Sequence, residues 1–302
     1  MEWRPGYREW APPPELAGSV TCLWTQVAPP GGGRATLVLP DACSDLIWQS
    51  GRGAFVAGPD TGPWSSALPA GTVLAGVRLR PGAGGPALGL PLSALLDQRV
   101  DASGLGTGFG TRLARSLGPA LTPAAALRLL AYEVRCLVLD NPADPLVTEA
   151  ARLLGRPRAQ AGDVAARLGV GERQLLRRCR AAVGYGPAAL RRVLRFRRFV
   201  ARVDAGGGLP GGPDLARLAA DTGYADQAHL THECVRLAGL PPAALTAERR
   251  PAAPRPLSPS PRRPRAWVET VSDSVLRPYS GEELNCQWIS TCPASWGACG
   301  QP

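Results

Sequence analysis

One spacing pattern occurs twice between residues 165 and 242. Ala165-x3-Gly169 returns as Ala219-x3-Gly223, and Leu175-x3-Cys179-x4-Gly184-x2-Pro187 returns as Leu230-x3-Cys234-x4-Gly239-x2-Pro242. The offset is 54 residues over the first half and 55 over the second, so one supersecondary unit is duplicated with a single extra residue in the second turn. Val164, Ala165 and Leu168 put apolar groups on one face of a short helix, and Ala165 is small where a second helix must cross. Gly169 supplies the freedom of a tight turn, Val170 plugs the corner, and Leu175 anchors the second helix from inside. Leu218, Ala219, Gly223, Tyr224 and Leu230 fill the same places in the second copy. This is helix-turn-helix spacing.

The outer surface of the first copy's second helix carries Glu172, Arg173, Gln174, Arg177 and Arg178. Arg and Gln are suited to the major groove, where they form paired hydrogen bonds to base edges. Residues 188–203 join the copies. Leu190, Val193, Leu194, Val200 and Val203 make one stripe there, and Arg191, Arg192, Arg195, Arg197 and Arg198 occupy much of the rest. A helix of that length spans ~24 Å and suits two recognition helices set about one duplex turn, roughly 34 Å, apart.

Charge falls in the same place. The chain carries a net +10, and residues 151–250 alone hold 18 arginines against 8 carboxylates, while the other segments are near balance. A block of this kind attracts polyanions, nucleic acid first among them. All 34 basic residues are Arg, and with 36 Gly and 32 Pro this suggests a GC-rich coding sequence. Coding bias accounts for Arg over Lys but not for an excess confined to one block.

On the stretches 168–178 (LGVGERQLLRR), 184–187 (GYGP) and 223–233 (GYADQAHLTHE), residues 160–248 resemble the DNA-binding domain of the AraC/XylS family of transcription regulators. The resemblance covers just under a third of the chain. It implies two helix-turn-helix units bridged by a long helix, with Arg173, Leu176 and Arg177 in base-reading positions of the first unit and Ala228 and His232 in those of the second. Gln174 and Gln227 complete the candidate DNA-binding set, with Arg191 and Arg192 on the linking helix. This chain departs from the family in carrying Cys179 and Cys234 where Phe is common, and Gly171 where a Ser N-cap is common. Leu176 and Ala228 cannot hydrogen-bond bases, so the second unit is expected to read less sequence than the first or to rest mainly on phosphates.

The first 110 residues have a different character. They are rich in Pro, Gly and Trp, with five Trp before residue 65. Apolar runs at 35–39, 45–48 and 72–79 end in turn formers, which predicts short strands. The stretches 40–48 (PDACSDLIW), 57–63 (AGPDTGP) and 76–83 (GVRLRPGA) loosely resemble the β-rich sensor region of one AraC-type subfamily. Residues 111–156 show helical spacing broken near Pro119 and Pro142, predicting two or three helices. The expected architecture is α+β and multidomain. It comprises a β-rich sensor domain over 1–117, a helical connector over 118–156, an all-α DNA-binding domain over 157–250, and a Pro/Arg-rich linker with a disordered tail over 251–302. Gly and Pro at 205–213 predict a flexible loop.

Other chemistries find less support. His229 and His232 lie beside Glu233, but a zinc protease places the Glu between its histidines, so no metal is expected. The two histidines both lie in the basic block, which leaves the first domain without a Ser-His or Cys-His pair. Eight cysteines show no C-x-x-C spacing and read mostly as small buried apolar groups; the spacing of Cys286, Cys292 and Cys299 is not that of a zinc site. Trp24, Trp48 and Trp64 with Asp41 and Asp45 are either pocket lining or core aromatics and turn carboxylates. The opening residues lack a signal-peptide pattern, and no stretch offers the ~20 apolar residues a membrane span needs, so a cytoplasmic protein without membrane contact is expected. The leading reading is a ligand-responsive transcription regulator, not an enzyme and without a cofactor, with duplex DNA as partner. RNA polymerase, a small-molecule effector and a second copy of the chain are further partners compatible with it. Two alternatives are a constitutive DNA-binding protein whose first domain only dimerises, and a Cys-based repair or sensor enzyme fused to a DNA-binding module.

Overall fold

The computed structural model describes residues 6–32, 35–119, 121–205 and 214–249. The chain divides into two units, Met1–Arg255 and Pro256–Pro302, and every described residue belongs to the first. The expected tail and most of the Gly/Pro loop at 205–213 therefore lie outside the described residues, as do Cys286, Cys292 and Cys299.

The amino-terminal segment forms β1 (Gly6–Trp10), β2 (Val20–Val27), β3 (Thr36–Val38), β4 (Ser44–Gln49), β5 (Gly53–Ala57), β6 (Trp64–Ser66), β7 (Val73–Leu79) and β8 (Arg99–Asp101). Six of these make one antiparallel sheet in the order β1-β2-β7-β4-β5-β8, and β3 pairs with β6 separately. Register and the two-residue period of a strand sort the side chains onto two faces. Leu23, Val77, Leu46, Val56 and Val100 stand in one row across the sheet. Trp24, Gly76, Ile47 and Phe55 stand in the row on the opposite face. The first face packs on helices, and Trp48 on that face donates its indole N–H to the Gly118 carbonyl. The second face carries a small cluster of Cys22, Trp24, Ile47, Phe55, Ala57 and Leu74, with Leu68 packed against it. Gly76 is required here, because a Cβ would collide with the Trp24 indole.

Ten α-helices are formed among the described residues, the first between β7 and β8 and the rest after β8: α1 (Gly84–Leu88), α2 (Gly108–Ser116), α3 (Pro123–Asp140), α4 (Pro145–Leu154), α5 (Ala161–Arg167), α6 (Glu172–Val183), α7 (Pro187–Ala205), α8 (Leu215–Thr222), α9 (Gln227–Ala238) and α10 (Pro242–Glu248). Their starts are written locally. Thr107, Thr122 and Asp144 cap α2, α3 and α4 through side-chain oxygens, and Pro123 and Pro145 occupy first-turn positions where a missing N–H costs nothing. α2 and α3 are tied by Arg112, whose Nε lies 3.1 Å from Glu133, a carboxylate buried to 2% exposure.

The helical core gathers Leu175 and Cys179 of α6, Leu190, Val193, Leu194, Phe196, Phe199 and Val203 of α7, and Leu230 and Cys234 of α9. Two assignments change here. Phe196 and Phe199 are fully buried although the aliphatic stripe of the linking helix omits them, whereas Val200 is only half-buried. α4, which falls in the expected connector, contributes Val147, Ala150, Leu153 and Leu154 to the core of the helix-turn-helix block. No helix among the described residues is long and apolar enough to cross a membrane.

Candidate nucleic-acid interface

The sequence duplication is a duplication of geometry. In the first unit the N–H groups of Gly169 and Val170 donate to the carbonyls of Ala166 and Ala165, at 3.1 Å each. In the second, Gly223 and Tyr224 donate to Ala220 and Ala219 at 3.2 and 2.9 Å. Gly169 and Gly223 have φ of 66° and 88°, the left-handed region that closes a helix without a Cβ penalty. Ala165 and Ala219 are buried to 1% and 0% exposure, as a crossing point requires. The far ends match too, since Gly184 and Gly239 close α6 and α9 with φ of 97° and 69° and donate to Arg180 and Val235. The starts differ. Asp226 caps α9 by accepting from the His229 N–H at 2.7 Å, whereas Gly171 gives α6 no side-chain cap.

On α6, Leu175 and Cys179 point inward while Arg173, Gln174, Arg177 and Arg180 are exposed. Arg173 and Arg177, four residues apart, share one solvent face. The other expected positions separate. Leu176 is half-buried and lies over Gly186, where a Cβ would stand 2.6 Å from its Cδ1. Arg178 is turned from the free face by a two-pronged contact with Asp144 at 2.8 and 2.6 Å. Arg191 is half-buried and donates to the Ala159 carbonyl at 2.8 Å and to Gln160 at 3.0 Å, tying α7 to the start of α5. Arg192 lies 3.2 Å from Glu233, which also accepts from Arg195 at 3.2 Å. The two linking-helix arginines are thus engaged within the protein. On α9, Gln227, Ala228 and His232 are exposed. His229 faces inward, edge-on to Tyr224 and 3.2 Å from Arg195.

Sequence reasoning missed the partners of this cluster. Arg195 lies 4.5 Å from the Tyr224 ring centroid and bridges α7 to α9 through Glu233, and no periodicity signals a contact 38 residues away. The aromatic candidates of the sheet also part company. Trp24 donates to Asp45 at 2.7 Å, and Arg78 lies 3.1 Å from Asp45 and 3.4 Å from Asp41. Burial pushes the Asp45 carboxyl above its usual range, against the pull of Arg78. Trp48 is on the opposite face, and Trp64 is exposed with Arg99 stacked 4.6 Å from its ring.

Residues 164–248 match the family model described as a helix-turn-helix domain, and residues 8–101 match a domain of unknown function, DUF6597. No curated protein matches the chain in sequence. Among solved structures, ToxT from Vibrio cholerae is 9% identical, with 74% of this chain and 98% of that one covered at a TM-score of 0.41. The unsaturated fatty acid-bound wild-type ToxT of the same organism is also 9% identical, with 74% and 94% covered at a TM-score of 0.36. With two geometrically equivalent units on either side of a long helix, residues 164–248 form a helix-turn-helix domain, set behind a DUF6597 domain.

Proposed function

We propose that this chain is a sequence-specific transcription regulator that reads DNA mainly with α6 and answers to a small molecule bound by its β-rich domain. The observation that carries the first half is the solvent face of α6. Arg173 and Arg177 stand there exposed, with no ion pair among the described residues, on a helix whose opposite side is fixed in the core. Guanidinium groups so placed match the two acceptors of guanine in the major groove. The test is selection of bound duplexes from a random pool by the full chain, followed by salt titration on the winner. A recovered consensus and a steep loss of affinity with salt are expected. A salt-insensitive or sequence-blind protein contradicts the reading.

The second half rests on the Trp24 face of the sheet, which joins an apolar floor to Asp41, Asp45 and Arg78. Ligand there would act by binding one DNA-affinity state more tightly than the other. A metabolite screen read by Trp fluorescence and thermal shift tests it, and a screen without response removes its support. A second copy is the further partner proposed. Leu129, Tyr132, Cys136 and Leu139 recur at three- and four-residue spacing on the outer side of α3, with Tyr132 54% and Leu139 51% exposed. Sedimentation of the Tyr132→Glu chain tests this, since a dimer through α3 should become a monomer. Burial pushes the Cys22, Cys179 and Cys234 thiols up to about 12, which leaves these three poorly suited as nucleophiles.

A further inference from the structure

The segment 57–63 (AGPDTGP) is absorbed neither by the recognition helices nor by the Trp24 face. It leaves β5 at Ala57, the last residue of that face, and becomes a loop held from several directions. Gly58 donates to the Gln98 carbonyl at 3.0 Å and packs so closely on Leu95 that a Cβ would overlap its carbonyl. Asp97 donates its N–H to the Pro59 carbonyl at 3.0 Å, and its carboxylate accepts from the Thr61 N–H and hydroxyl at 2.7 Å each. Asp97 does this at a φ of 56°, a conformation unusual for a residue with a Cβ. Asp60 and Arg99 close a two-pronged ion pair at 2.7 Å, with only 11% and 14% of their side chains exposed.

The loop ends on both helix-turn-helix units, and at the same place in each. A Cβ on Gly184 would stand 2.6 Å from Pro59 Cγ and 3.2 Å from the Leu92 carbonyl oxygen. A Cβ on Gly239 would stand 3.6 Å from Pro63 Cγ, and one on Gly62 would stand 3.9 Å from the Arg236 carbonyl oxygen. Gly184 and Gly239 are equivalent residues of the duplication, the left-handed closures of α6 and α9. Two prolines four residues apart in one stiff loop therefore abut the same turn of both recognition helices.

We propose that residues 58–63 form a bracket that fixes the two recognition helices relative to each other and transmits changes at the Trp24 face to both at once. The inference rests on the reading that these helices bind DNA. Bound state and free state differ through the bracket only if releasing it alters binding that uses both helices.

The experiment uses the full chain with two variants. Asp97→Gly removes the carboxylate that holds Thr61 while tolerating the positive φ, and Pro63→Gly removes the contact with the second unit while leaving the Asp60–Arg99 pair. Each is titrated against the selected duplex and against a shorter duplex that ends before the second unit's segment. Affinity for the intact duplex should shift by roughly fivefold or more, the usual scale of coupling between sites, with affinity for the shortened duplex unchanged. Equal shifts on both duplexes, or none, overturn the proposal. Amide exchange provides a readout without DNA. Protection of the turns at 184 and 239 should fall in Asp97→Gly, and unchanged protection overturns the bracket whether or not any duplex binds. A wild-type chain that binds no duplex overturns the DNA reading instead, and the exchange result still decides the bracket.

Discussion

Arg177 and His232 occupy exposed positions on α6 and α9, yet as proposed readers of base edges they are not equivalent. An Arg can hold two acceptors of one guanine through a fixed fork, whereas an imidazole makes a single contact at each ring nitrogen. Arg177→Ala should cost about 1–3 kcal/mol of binding and relax preference at one or two base positions. His232→Ala should cost less and leave the consensus sharper. Binding-site selection with each variant checks this, and equal, sequence-independent losses would show that the reading faces are misassigned. Glycines provide a second comparison, this time in stability. Gly169 and Gly184 both have positive φ, so Ala at either should cost about 1–2 kcal/mol of backbone strain. A Cβ at Gly169 meets nothing within 4 Å, but one at Gly184 meets Pro59. Gly184→Ala should therefore cost about 1–3 kcal/mol more, the scale of overpacking, as read by urea denaturation. Equal losses would mean that the loop gives way.

At the scale of elements, Asp144 does two jobs. Its Oδ1 accepts from the Val147 N–H at 3.1 Å to cap α4, and both its oxygens hold Arg178 of α6. Removing a cap costs about 0.5–2 kcal/mol, and a half-exposed ion pair adds less than about 1. Asp144→Ala should lose about 1–2 kcal/mol, and Asp144→Asn, which still caps, clearly less; a denaturation series on both separates the terms. The residues also show what a sequence can disclose. The helix-turn-helix units were legible because their chemistry is local: small Ala, positive-φ Gly and inward Leu recur at fixed short spacings. Strands at 36–38, 44–49 and 73–79 were legible from apolar runs ended by turn formers. The partners of Arg178, Arg192 and Arg195 were not, because each lies 34–41 residues away on another helix. Nor was the bracket, since the sequence marks 57–63 as a motif but carries no sign that Pro59 meets residue 184.

The whole molecule revises where the DNA-binding block begins and how much of its charge faces DNA. A fragment cut at residue 151 splits α4 and discards Asp144, Val147 and Ala150. Burying one Val side chain is worth about 1.5–3 kcal/mol, so a fragment over 142–250 should be several kcal/mol more stable than one over 151–250. The charge argument changes in the same direction. Of the 18 arginines in the basic block, Arg152, Arg178, Arg192, Arg195, Arg217 and Arg249 form ion pairs within the protein, and Arg191, Arg197 and Arg198 donate to backbone carbonyls. An arginine neutralised by a carboxylate releases fewer counterions from a phosphate than a free one. Each phosphate neutralised contributes about −0.9 to the slope of log affinity against log salt, so the slope should fall well short of that for 18 contacts and track the unpaired set that includes Arg173, Arg177 and Arg180. The 142–250 fragment, titrated between low and physiological salt, should keep the slope of the full chain, because the described arginines of the block all lie within it. A much steeper slope for the fragment would mean that its internal ion pairs open when the β-rich domain is removed, and that the domain holds charge back from DNA as well as positioning the helices that read it.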